Sequence, residues 1–136
     1  MHASTMHNSR ALRLWTLIAC LWLLSLTVLQ AADANRSWSG TWNNKKYKTK
    51  GPLTCTVTSV NGATWQATFS GKGLGNPFSY KATLKTAVKN GRTYLAGTTS
   101  VDGEAYKWSG YIQGKALVGS YRSATGNNGT FSLQGK

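Results

Sequence analysis

From Ser37 to the C-terminus the chain alternates apolar and polar residues with a period of two. Ala63, Trp65, Ala67 and Phe69 share one side of a segment whose other side is Thr64, Gln66, Thr68 and Ser70. Phe78, Tyr80, Ala82 and Leu84 stand likewise opposite Ser79, Lys81, Thr83 and Lys85. Successive side chains of an extended chain point to opposite faces, so this pattern predicts strands with one apolar and one wet face. Eight such strands are predicted, over residues 37–42, 53–60, 63–70, 78–85, 92–100, 105–112, 116–123 and 130–134. The first has an optional extension through the Lys-rich stretch 45–50. Asn61-Gly62, Asn90-Gly91 and Asp102-Gly103 read as hairpin turns, because both central residues of a type I′ turn need φ > 0. Residues 71–77 read as a flexible loop, and no helical periodicity competes.

Tight turns between successive strands make neighbours antiparallel. Eight of them in about 100 residues predict an all-β domain, either a small eight-stranded up-and-down barrel or a two-layer β-sandwich. Glycine placement favours the barrel. Gly97, Gly110 and Gly119 each follow a large apolar residue by two positions, so bulky and empty inward positions alternate, as a tightly curved sheet requires. The expected inward set is Leu53, Cys55, Val57, Trp65, Phe69, Phe78, Tyr80, Leu84, Trp108, Leu117, Tyr121, Phe131 and Leu133.

The first 34 residues follow a different pattern. A basic stretch with Arg10 and Arg13 precedes an uncharged run from Leu14 to Leu29, and Ala31-Ala32-Asp33-Ala34 closes it. These are the three parts of a secretory signal, with cleavage after Ala34 or Ala31. The apolar run is short for a membrane anchor, which needs about 20 residues. Leu17-Ile18-Ala19-Cys20 matches a lipobox in form, but the apolar run continues well past Cys20. Residues 1–34 are therefore expected to be a signal peptide and 35–136 one domain, secreted or otherwise extracytoplasmic. Asn35-Arg36-Ser37 and Asn128-Gly129-Thr130 are sequons that matter only in a eukaryotic secretory pathway.

Charge and chemistry sharpen the picture once that segment is set aside. Both histidines, His2 and His7, lie in it. The remaining domain has Asp102 and Glu104 as its only acids and Cys55 as its only cysteine, against fourteen Lys and Arg. A cysteine nucleophile wants a histidine base, and zinc wants His or paired Cys. Gly71-x-Gly73-x-Gly75 opens no helix, so it is no phosphate loop. Asp102 and Glu104 flank a turn glycine, whose chemistry explains the aspartate. The expectation is a non-enzyme with no cofactor and no metal. Cys55 alternates with Leu53 and Val57, which predicts burial as a small hydrophobe.

Uncompensated positive charge attracts polyanions by steering and counterion release. Lys45, Lys46, Tyr47, Lys48 and Lys50, with Lys81 and Lys85 on the outward face of a strand, are the candidate polyanion surface. Between the Trp42 strand and Pro52 these lysines are expected in a loop or a frayed edge; if the stretch is extended, Lys46, Lys48 and Lys50 point the same way. Lysine on edge strands also blocks sheet aggregation, yet so one-sided a charge exceeds that need. Export argues against nucleic acid and for acidic polysaccharide, anionic lipid headgroups or other envelope material. An alternative site is the barrel interior, where Trp65, Tyr106, Trp108 and Tyr121 would line a pocket for a small apolar or aromatic ligand. A structural envelope protein is a third reading.

Trp38-Ser39-Gly40-Thr41-Trp42-Asn43-Asn44 opens the domain. A Gly-x-Trp on the first strand of a secreted eight-stranded meander resembles the calycins, the lipocalin and avidin superfamily. The resemblance implies a barrel, with Trp42 closing one end and Arg122 packed over it. The chain departs from lipocalins in showing no helix after the barrel. It departs from avidins in having no acid near its end, so biotin is not implied.

Exported protein is expected to begin at Ala32 or Asn35. Intact mass would show this, and retention of residues 1–30 or a lipid on Cys20 would refute it.

Overall fold

The computed structural model describes residues 35–136; the stretch expected to be a signal peptide, with Cys20, lies outside the described residues. Eight strands follow one another: β1 (Ser37–Asn44), β2 (Thr49–Asn61), β3 (Thr64–Gly73), β4 (Asn76–Lys89), β5 (Arg92–Val101), β6 (Glu104–Gln113), β7 (Ala116–Ser123) and β8 (Asn128–Gly135). Each pairs antiparallel with the next, and β1 pairs with β8, closing an up-and-down barrel. No β-sandwich forms. Apolar side chains face in, while Ser, Thr and Lys face out. That is the reverse of a lipid-embedded barrel.

The connections define two ends. The β1–β2, β3–β4, β5–β6 and β7–β8 turns surround one end, here the mouth. The other three turns and both termini of the domain surround the opposite end, the base. Trp38, Cys55, Val57, Leu117 and Leu133 are the most deeply buried side chains. Their pairings, such as Trp38 with Gly135 and Leu117 with Leu133, place them toward the base.

The turns correct two expectations and decide between the two readings of the Lys-rich stretch. Residues 71–77 are not a flexible loop: β3 runs to Gly73, and Leu74-Gly75 forms a two-residue turn with φ 52° and 80°. The β2–β3 turn is Gly62-Ala63 rather than Asn61-Gly62, because Asn61 pairs with Thr64. A bulge between Val57 and Ser59 takes up the extra residue and shifts the register. Residues 45–48 are a four-residue turn with Lys48 at φ 53°, so strand alternation does not align Lys46 and Lys48. Asn90-Gly91 and Asp102-Gly103 are turns with both φ positive, as their residue types require.

Ten of the thirteen expected inward residues are fully buried; Phe78, Tyr80 and Trp108 are half-buried, since each lies toward the mouth. The glycine argument holds at Gly110 and Gly119, which pair across β6 and β7. A Cβ on Gly119 would stand 2.5 Å from Phe131 Cζ and 3.0 Å from Gly110 Cα. The space is therefore already filled by a ring from the next strand. Phe69 stacks on Trp108 with centroids 4.8 Å apart, and Phe131 approaches both.

The part assigned to Trp42 by the calycin resemblance is divided differently. Trp38, 1 % exposed, plugs the base, with the Arg36 guanidinium 4.8 Å from its ring centre. Arg122 lies between inward Tyr121 and Ser123 and is exposed, so it faces outward and does not cover Trp42.

Trp65, 5 % exposed, packs toward the base, beside the β2–β3 turn. Trp65→Ala should cost about 3–5 kcal/mol, a large part of a small domain's stability. A urea midpoint near the parent's would contradict this packing.

Candidate functional site

The mouth holds a cavity of about 200 Å³ lined by Trp42, Phe78, Tyr80, Tyr106, Trp108 and Tyr121 with Asn44, Leu53, Gly73, Val101 and Asn127. An apolar cavity of about 150 Å³ holds benzene, so this one has room for one or two fused rings. It shares Trp42, Gly73, Phe78, Tyr80 and Asn127 with a shallower groove of about 600 Å³, to which Thr49, Leu74, Asn76 and Asp102 contribute. A larger depression of about 940 Å³ lies over the outer wall around Ala96, Ser109 and Val118, but it is open and carries only Lys85 as a charged group.

The aromatic walls are fixed in place. Trp42 Nε1 donates to the Lys72 carbonyl at 3.0 Å, and its ring meets Phe78 edge-on. Phe78 stacks on Tyr80, its neighbour along the same face of β4. Trp108 Nε1 is the one buried side-chain nitrogen or oxygen among the described residues without a hydrogen-bond partner. Such a group costs on the order of 1–3 kcal/mol.

A polar network binds the rim. Asn127 Nδ2 donates to Tyr106 Oη at 2.6 Å, and Asn44 Nδ2 donates to Asn127 Oδ1. Asn44 Oδ1 accepts the Tyr47 backbone N–H at 2.9 Å, and Tyr121 Oη donates to the Asn43 carbonyl at 2.7 Å. Glu104 accepts from Thr125 Oγ1, and from Tyr106 Oη at 3.3 Å. Lys46 Nζ reaches the Thr125 carbonyl at 3.3 Å and lies 5.4 Å from the Tyr47 ring centre. The β1–β2 turn is thus tied to the β7–β8 loop. Burial raises the Tyr121 hydroxyl to about 12, so it stays a neutral donor.

The expected site residues separate. Lys45, Lys46, Tyr47 and Lys48 crown the mouth, with exposed Lys50 just below on β2. Lys81 pairs with Thr68 in mid-wall, and Lys85 pairs with Thr64 beside a base turn. Neither joins the mouth lysines. Tyr106, Trp108 and Tyr121 do converge on one cavity, but Trp65 is not among its walls and belongs to the core toward the base. Trp42, Phe78 and Tyr80 take its place. Phe78 and Tyr80 were in the expected inward set, whereas Trp42 was placed at a barrel end only by the calycin resemblance; which end they share depends on turn order around a closed barrel.

Cys55 is buried, and desolvation pushes its thiol up to about 12. It is inert packing rather than a nucleophile. No group of three or more metal-ligating side chains occurs among the described residues. An eight-stranded antiparallel closed barrel is compatible with a calycin-like architecture. The sequence matches no protein-family model and no curated protein.

Hydrogen bonds from Thr125, then Ser123, hold the Glu104 carboxyl below its ordinary range. A depressed carboxyl contributes stability above its unfolded pKa and loses it as the pH falls through the folded pKa. The β7–β8 loop should therefore stay ordered down to the lower edge of the carboxylate range and loosen beneath it. Amide exchange at Gly126 followed against pH reads this directly. A Glu104→Gln variant with the parent's acid profile would show that another group controls the loop.

Proposed function

We propose that this protein is an exported, non-catalytic binding protein whose basic mouth contacts anionic extracellular or envelope material. The observation that carries the reading is the placement of Lys45, Lys46 and Lys48 on one mouth turn, with exposed Lys50 and Lys72 on the adjoining strands. Asp102 and Glu104 cannot neutralise the fourteen cations of the domain. The field around it is positive over a Debye length of about 8 Å at physiological salt, and a polyanion gains by releasing its counterions there.

A second reading is favoured by the mouth cavity. Its aromatic walls and volume of about 200 Å³ suit a small flat apolar ligand, as the calycin resemblance would imply. The two readings are compatible, since the cavity and the β1–β2 turn lysines share one end of the barrel.

Replacing Lys45, Lys46, Lys48 and Lys50 together by Gln should weaken binding to dextran sulfate and flatten its salt dependence, with the thermal midpoint nearly unchanged. If the quadruple variant binds as tightly as the parent at every salt concentration, the lysines serve only to keep the barrel from aggregating.

A further inference from the structure

Three turns place both central residues at positive φ: Leu74-Gly75, Asn90-Gly91 and Asp102-Gly103. Asn and Asp adopt the left-handed conformation readily, because their short polar side chains bond the local backbone. Leucine has no such compensation. Yet Leu74 sits at φ 52° and is 85 % exposed, more than any other large apolar residue described. Both the backbone conformation and the exposure act against stability in the isolated domain. A local rule broken with no internal gain points to a group that a partner uses.

Tyr47, 62 % exposed, tops the β1–β2 turn at the same end. The β2–β3 pairing makes its hairpin and that of Leu74 neighbours on the rim. Lys45, Lys46, Lys48, Lys50 and Lys72 flank the two apolar tips, and all five are exposed. The β5–β6 hairpin, next to that of Leu74 through the β4–β5 pairing, carries both acids: Asp102 lines the groove that Leu74 borders, and Glu104 accepts from Thr125, whose carbonyl Lys46 reaches. Five exposed lysines against two acids leave the side formed by the β1–β2 and β3–β4 hairpins apolar at its tips and net cationic behind them.

We propose that this side docks on an anionic lipid bilayer. Leu74 and Tyr47 enter the boundary between headgroups and acyl chains, and the five lysines meet the phosphates. The inference rests on the polyanion reading and narrows it. A hydrated polysaccharide supplies charge but no apolar phase to receive Leu74, whereas a bilayer supplies both. Apolar insertion and basic attraction are each weak alone and effective together.

The test uses the exported protein and phosphatidylcholine vesicles with and without phosphatidylglycerol, read by co-sedimentation. The parent should bind only the anionic vesicles. Leu74→Asn should weaken that binding about tenfold, equivalent to about 1.4 kcal/mol. It should leave dextran sulfate binding unchanged and the denaturation midpoint equal or higher, since Asn suits the turn. Tyr47→Ser should weaken vesicle binding as well. Equal vesicle binding by the parent and Leu74→Asn would overturn the inference. Binding to dextran sulfate but not to vesicles would overturn it and leave the polyanion reading standing. Binding to neither would overturn both.

Discussion

The pairing of β1 with β8 is the constraint on which the rest depends. It turns a meander into a closed wall and fixes the interior volume. Seven inter-strand pairs are made by neighbours in sequence; the eighth joins the two ends of the domain. With the volume fixed, thirteen aromatic residues cannot all point inward at full size. Gly119, paired with Gly110, makes room for the Phe131 ring, and seven aromatics are not fully buried: Trp42, Tyr47, Phe78, Tyr80, Tyr94, Trp108 and Tyr111. Packing is densest toward the base, where Trp38 lies among Cys55, Leu117 and Leu133. The mouth keeps the residual space. Its cavity is thus a consequence of closure with aromatic side chains rather than a separate feature.

Strand count, strand order and the apolar face were legible because each rests on local chemistry. Alternation at residues 63–70 needs no knowledge of partners, and Asn90-Gly91 or Asp102-Gly103 declares its turn by residue type. Misplacement came where a non-local effect overrode the local one. The bulge at Val57/Ser59 moved the β2–β3 turn by one residue. Gly71 to Gly75 looked like a flexible run, but Gly71 and Gly73 lie inside β3, beside Phe78. The site was less legible than the fold. Tyr106, Trp108 and Tyr121 were separable from Trp65 only after the ends of the barrel were known. The lysines at 81 and 85 share an alternation face with each other but a location with neither the mouth turn nor its charges.

Electrostatics and packing are divided between the two surfaces of the same wall. The interior holds the rings and Cys55, whose thiol desolvation keeps neutral. The exterior holds the cations, spaced by Ser and Thr. Two carboxylates in so basic a domain would have the greatest effect at a place where charge must be offset. Both are at the mouth, and Glu104 is engaged with Thr125 and Tyr106. Its negative charge organises the β7–β8 loop, next to the turn that carries Lys45 and Lys46.

That arrangement explains why the mouth can be both rigid and adhesive. Asn44, Asn127, Tyr106 and Tyr121 spend their hydrogen-bonding capacity on one another and on the backbone. They hold the rim in shape but offer few open polar valences to a partner. Apart from the exposed carboxylate of Asp102, what the rim presents outward is of two kinds, ammonium groups and the apolar tips at Tyr47 and Leu74. An ammonium group in water loses little by waiting for a partner, whereas an exposed leucine at positive φ costs free energy as long as it waits. The conformational cost at Leu74 is therefore the more informative of the two signals. Solubility and resistance to aggregation account for part of the charge, and neither of those accounts for a leucine at the tip of a turn that asparagine or aspartate fits better.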